Sequence, residues 1–400
     1  MQSSIKLRLT VMNFLQFAVW GAYLTSMGRY LGTAGFGSEI GNFYAMQGLV
    51  SLFMPALMGI VADRWIPAQR LLGVCHMLAG MLMLGVFLYT QTDAPSYPSL
   101  FALYSLSVAF YMPTLALSNS VAYTSLDQAG LDLVKSFPPI RVFGTVGFIC
   151  TMIAVSLLGL EATSGQFAVS AIISLVLAVY AQTLPNCPTA PKGQSKSLVE
   201  ALGLRAFVLF KQRKMALFFI FSMLLGVSLQ ITNGFANPFI STFGEIPAYA
   251  DTFGVKYANI LISLSQLSET LCILLIPFAL RRFGIRRVML IAMVAWVLRF
   301  ALLGLGNPGS GVWLFLLSMI VYGVAFDFFN VSGSLFVDKE TDPSIRSSAQ
   351  GLFMIMTNGI GATLGSLGAQ AVINRFVYSQ SEATTILSGG TTSWYIFAAY

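Results

Sequence analysis

The segment RVFGTVGFICTMIAVSLLGLE, Arg141 to Glu161, carries a charge at each end and 19 uncharged residues between. A helix needs about 20 apolar residues to cross the roughly 30 Å hydrocarbon core of a bilayer. Read outward in both directions, the same interval recurs. Arg70 to Asp93 leaves 22 uncharged residues, Asp93 to Asp127 leaves 33, and Glu161 to Lys192 leaves 30. Lys214 to Glu245 leaves 30, Arg299 to Asp327 leaves 27, and Arg346 to Arg375 leaves 28. Segments near 9–28, 40–62, 256–280 and 286–305 bring the expected spans to eleven. A twelfth is expected to begin at Trp394 and is cut at Tyr400 after seven residues, too short to satisfy its backbone in lipid. The sequence therefore predicts an all-α membrane protein whose twelfth helix is truncated.

Composition agrees. Of 400 residues, 56% are hydrophobic and 9% charged, with a mean hydropathy of +0.77. A soluble domain carries about a quarter of its residues as charges, so a water-soluble reading is excluded. The four cysteines, Cys75, Cys150, Cys187 and Cys272, contain no CxxC pair, and His76 is the single histidine. That set makes neither a zinc site nor a disulfide scaffold, and no metal or other cofactor is expected. No GxxxxGK[ST] loop offers an engine for ATP-driven pumping, and no nucleophile–base pairing suggests an enzyme. The N-terminus runs MQSSIK into a long apolar stretch without a small-residue cleavage site, so no removed signal peptide is expected.

The net charge of +7 is a topology signal rather than a nucleic-acid footprint. With Lys6 and Arg8 placed in the cytoplasm, eighteen lysines and arginines fall on that side. Arg29, Lys256 and Arg375 fall opposite, and Arg299 lies within a span. This asymmetry predicts a cytoplasmic N-terminus. Residues 185–197, PNCPTAPKGQSKS, read as a linker, and SLVEALGLRAFVLFKQRK after it as an amphipathic helix on the cytoplasmic surface. The expected organisation is an N-terminal six-helix bundle (1–185), a cytoplasmic linker (186–214) and a C-terminal helix bundle (215–400). Val108-Ala109-Phe110 recurs as Val324-Ala325-Phe326, and Asp63-Arg64-Trp65 corresponds to Arg281-Arg282-Phe283 at nearly the same offset. Both echoes fit a duplicated unit.

A charge at the centre of a spanning helix costs about 2.5–3.5 kcal/mol even on lenient insertion scales. Thirteen of the 15 acids fall in or beside loops; Glu269 and Asp327 do not. They read either as members of a fixed interhelical ion pair or as a proton or substrate site. Gln266 lies three residues before Glu269, and Gln230 and Asn233 repeat that spacing, so each pair shares a helix face. These amides either line a polar cavity or bond neighbouring helices. In FPPIRVFGTVGF (137–148), Arg141, Thr145 and Phe148 share a face, with Arg141 either reaching back to the interface or pairing with Asp327 or Glu269. Tyr322 and Phe326, four apart beside Asp327, suit a flat heteroaromatic ligand. His76 reads as a structural histidine, Gln16 and Trp20 as possible cavity neighbours, and Gly361 with Gly365 as a close-packing face.

GIVADR (59–64) with Arg70 resembles the loop signature of the major facilitator superfamily, with Ile66 where glycine is usual. FPPIRVFGTVGF, FIFSMLLGVSLQITN, SQLSETLCILLIPF, RRFGIRRVML, SMIVYGVAFDFFNVSGSLFV and RSSAQGLFMIMTNG resemble the bacterial nucleoside:proton symporters, including nucleoside and xanthosine permeases. The likeness runs over essentially the whole chain. It implies a twelve-helix, two-bundle major facilitator fold with alternating access to a central site. It also implies a nucleoside held by Arg141, Thr145, Phe148, Gln230, Asn233, Gln266, Glu269, Tyr322, Phe326 and Asp327, with the proton on Asp327 or Glu269. The function implied is proton-coupled nucleoside import by a monomer in the bacterial inner membrane, its partners being nucleoside, proton and lipid. The alternatives are a sugar or drug porter of the same superfamily and an uncoupled nucleoside facilitator.

Overall fold

A computed structural model of the chain describes residues 2–189, 204–342 and 345–400. All regular structure among these residues is helical, with no strand. The helices are α1 (Gln2–Gly21), α2 (Met27–Thr33), α3 (Ile40–Ser51), α4 (Met54–Arg64), α5 (Ala68–Tyr89), α6 (Tyr97–Gln128), α7 (Leu133–Leu157) and α8 (Gly165–Tyr180). A 3₁₀ segment, Leu204–Lys211, precedes α9 (Arg213–Thr242). Then follow α10 (Ala258–Leu305), α11 (Val312–Glu340), α12 (Arg346–Met354), a π-helical segment Ile355–Gly361, α13 (Ala362–Phe376) and α14 (Ala383–Ala399). In hydrocarbon a helix is the one open-ended structure that satisfies its own backbone, so apolar runs of this length fold this way.

Nine helical stretches among the described residues are long and apolar enough to cross a membrane. One of them is α10, which breaks at Gly284 (φ 76°, ψ 163°) into two helices, because glycine alone adopts that conformation without strain. With α1 and α14, the count reaches the twelve helices of the major facilitator fold. Large apolar side chains such as Leu274, Phe278 and Val294 stay exposed on the outer faces, where lipid tails replace water.

One expectation is corrected here. The last helix begins at Ala383, eleven residues before Trp394, and runs to Ala399. Its first half, ATTILSGGTTS, is weakly hydrophobic, but its glycines let it pack closely. A methyl at Gly389 meets the Phe376 carbonyl, and one at Gly390 meets the Phe239 ring. The amphipathic helix expected before α9 lies partly outside the described residues; within them, Leu204–Lys211 is 3₁₀-helical.

The chain divides into two compact units. The first comprises Met1–Leu24, Met46–Val155 and Thr163–Arg205. Leu9, Met12, Leu72, Cys75, Val121 and Leu126 lie in its apolar core. There α1 and α7 meet at glycines: a methyl at Gly21 strikes the Phe148 carbonyl, and one at Gly147 strikes that of Phe14. The second unit comprises Thr25–Ala45, Ser156–Ala162 and Ala206–Tyr400. In it the expected small-residue face is realised: Gly361 packs on Met223 and Gly365 on Val227, while Gly226 abuts Thr357 of the π segment.

Candidate functional site

In the second unit α10 and α11 run against each other at Gly323, where a Cβ would lie 2.5 Å from the Ser268 carbonyl oxygen. That close approach sets α11 residues Tyr322, Phe326 and Asp327 beside α10 residues Gln266 and Glu269. Tyr322 and Phe326 stack, with centroids 5.9 Å apart and planes within 8°. Trp296, on the second half of α10, meets Tyr322 edge-on at 5.9 Å. The Tyr322 hydroxyl lies near the Gln266 side chain. Asp327 is 3% exposed, and its Oδ2 has no hydrogen-bond partner among the described residues. The Glu269 side chain is half-buried and close enough to Asp327 for the two carboxylates to repel.

On α9 the expected shared face is formed. Asn233 Nδ2 donates to Gln230 Oε1 at 3.2 Å, and Gln230 Nε2 donates to the Tyr44 carbonyl at 3.3 Å. Gln230 is buried and Asn233 half-buried, so one end of this amide pair stays accessible. Tyr44 belongs to the stretch of α3 that falls in this unit.

Arg141, Thr145 and Phe148 lie in the first unit. The Arg141 guanidinium sits over the Phe17 ring at 4.0 Å. Thr145 is half-buried on the same face. Phe148 is buried, with Trp20 edge-on to it at 6.5 Å. Gln16 is fully buried, and its amide nitrogen donates to Thr114 Oγ1 at 2.7 Å. With that nitrogen committed, Gln16 Oε1 is the acceptor for His76 Nε2 at 2.8 Å. Ser174 Oγ lies 3.0 Å from Nδ1 on the other edge of the ring. His76 is thus tied on both sides, in the manner of a structural histidine.

One carboxylate that sequence reasoning placed beside a loop turns out to be a buried hub. Glu161, 3% exposed, accepts from Arg29 Nη1 at 3.2 Å, Asn237 Nδ2 at 3.1 Å and the Asn259 backbone N–H at 3.1 Å. Ser156 Oγ also donates to it. Asn259 Oδ1 in turn accepts from Thr25 Oγ1 and Asn237 Nδ2, each at 2.9 Å. Every residue of this network belongs to the second unit.

The arrangement in the second unit joins stacked aromatics, side-chain amides and two mutually repelling carboxylates, one with an unengaged oxygen. It suits a flat, polar, uncharged ligand with an accompanying proton. Comparison with known proteins decides the lineage, since the profile of the nucleoside H⁺ symporters matches residues 3–400. The chain belongs to the nucleoside H⁺ symporter family. It is 49% identical to xanthosine permease of Escherichia coli K12 over 400 residues, covering 99% of this chain and 93% of that one. Nucleoside permease NupG of the same strain is 47% identical with the same coverage. The crystal structure of the nucleoside transporter NupG superposes with a TM-score of 0.89 at 46% identity, over 99% of this chain and 96% of that one. A bacterial homologue of the lysosomal transporter Spinster, at 16% identity and a TM-score of 0.65, shares the fold. The family's members are multi-pass membrane transporters, and so is this chain.

Proposed function

We infer that this chain imports nucleosides by proton symport through alternating access, with Asp327 carrying the proton. The observation that supports this most directly is the buried Asp327 carboxylate with its unpartnered Oδ2 beside Glu269. Two carboxylates cannot both stay charged cheaply in a low-dielectric interior; a proton on one removes the repulsion. A bound proton is therefore a condition for the loaded carrier to reorient, and its release on the cytoplasmic side restores the repulsion.

The amides Gln230, Asn233 and Gln266 offer donors and acceptors to base and ribose, while Tyr322 and Phe326 stack against the rings. The family resemblance assigns Arg141, Thr145 and Phe148 to the same nucleoside, and Glu269 to both substrate and proton. A neutral nucleoside plus one proton moves one positive charge inward, worth about 2.3 kcal/mol per 100 mV. That corresponds to accumulation of a few tens-fold, roughly. The protein works as a monomer in the bacterial inner membrane with its N-terminus in the cytoplasm, the last from the lysine and arginine asymmetry.

The test is uptake of labelled uridine into proteoliposomes under an imposed pH gradient, with protonophore and an excess of unlabelled sugars as controls. Uptake that collapses with protonophore and ignores sugars is expected. Uptake indifferent to protonophore supports an uncoupled facilitator, and competition by sugar supports a different porter.

A further inference from the structure

We propose that Arg299 is a positioning residue for nucleoside binding, acting through the face of Tyr322. The inference rests on the assignment of Tyr322 to the site. Arg299 is 0% exposed, the one basic residue that sequence analysis placed within a span. Its guanidinium carbon lies 4.6 Å from the centroid of the Tyr322 ring. Nη1 donates to the Ser318 carbonyl at 2.6 Å and lies 3.4 Å from Ser265 Oγ, while Ser318 Oγ donates back to the Arg299 carbonyl at 2.9 Å. Nε and Nη2 have no hydrogen-bond partner among the described residues.

This is a poor design for stability alone. A buried guanidinium with two unengaged nitrogens carries a desolvation penalty that a methionine of similar length would avoid. What the charge does gain is the π-face of Tyr322, a contact that strengthens when both groups are dry. The contacts around that ring are complementary. Arg299 lies over it, Trp296 meets it edge-on at 5.9 Å and Phe326 stacks with it at 5.9 Å. The two seryl contacts hold the guanidinium to both halves of α10 and to α11, so the cation cannot drift from the ring. Tyr322 is thereby fixed in tilt and depth, and with it the half-buried Phe326 stacked on it, before the nucleoside arrives, so less ordering remains to be done on binding.

The experiment is a double-mutant cycle on the purified full chain, with uridine affinity read by calorimetric titration and folding by thermal midpoint. Arg299→Met is expected to weaken uridine about tenfold, the scale of a desolvated cation–π contact. Arg299→Lys keeps a cation without the planar face and is expected to lose about a third of that on a logarithmic scale. In a Tyr322→Leu background, Arg299→Met is expected to cost less than about twofold more, because the ring it served is gone. A folded Arg299→Met that binds uridine as the unaltered protein does overturns the proposal. So does a loss that multiplies in full onto Tyr322→Leu, or a loss in Arg299→Lys as large as in Arg299→Met. If Arg299→Met does not fold, or Tyr322→Leu binds too weakly to titrate, the cycle is run with Arg299→Lys and Tyr322→Phe. Tyr322→Phe keeps the ring, so Arg299→Lys must then weaken uridine by the same factor with and without the hydroxyl, and a changed factor refutes the proposal. Wild-type affinity in Tyr322→Leu contradicts the site assignment itself, and is distinguishable from failure of the Arg299 proposal.

Discussion

Two carboxylates in the second unit are equally buried, at 3% exposure each, and treated in opposite ways. Glu161 receives two donors on each oxygen, one of them a guanidinium. Asp327 has an oxygen that receives none and a second carboxylate close by. A charge supplied with that many donors is a fixed part of the architecture. A charge left partly unsatisfied beside a like charge gains from being neutralised. The difference separates an acid that holds segments together from the acid we propose to carry the proton, and burial alone would not have done so.

The contrast is broken most sharply by truncating each acid in turn. Glu161→Ala leaves half-buried Arg29 with the Val255 carbonyl alone and takes the acceptor from Ser156, Asn237 and the Asn259 N–H, which should cost about 3 kcal/mol, read as a large fall in thermal midpoint in detergent. Asp327→Asn should leave the midpoint unchanged or raised, since it removes a repulsion. An equal fall in both variants would erase the distinction. Next in size is Gly323→Ala, which drives α11 away from the Ser268 carbonyl of α10. Overpacking of this kind costs about 1–3 kcal/mol. It should weaken uridine binding while leaving the Glu161 network in place, since Asn259, its one member on α10, lies more than two turns before Ser268.

A smaller effect is expected at Gln230→Ala, which removes the hydrogen bonds to Asn233 and to the Tyr44 carbonyl. A loss of about 1 kcal/mol, a several-fold fall in uridine affinity, is the scale for such amides. The smallest effect sets the baseline for an acid in water. Asp251 pairs with Lys256 at 2.9 Å, fully exposed, and the lysine holds its carboxyl below the ordinary carboxylate range. Such a group stabilises above its unfolded pKa, an effect lost as pH falls through the lower folded value. Because solvent screens the pair, Asp251→Asn should leave the midpoint at neutral pH where it was.

The membrane fold was legible because lipid imposes one rule on every span: a length of apolar residues between charges. The interval from Arg141 to Glu161 becomes most of α7, and Arg70 to Asp93 most of α5. The start of the last helix was not legible, since ATTILSGGTTS is held by close glycine packing, which leaves no hydropathy signal. At the site, Gln230 with Asn233 and Tyr322 with Phe326 were readable from helical spacing, and the structure shows each pair in contact. Glu161 was missed because a position beside a loop looks solvated in one dimension. Its donors come from residues 29, 156, 237 and 259, which no local pattern connects. Arg299 did carry a signal, a charge within a span, but only the fold shows the ring it lies over.

The central claim is that Asp327 carries the coupled proton. It is tested most directly by loading proteoliposomes containing Asp327→Asn with buffer, imposing an inward proton gradient and following labelled uridine over time. The account predicts that uridine does not rise above its external concentration, although the variant's thermal midpoint is not lowered. Gradient-driven accumulation equal to that of the unaltered protein would contradict it.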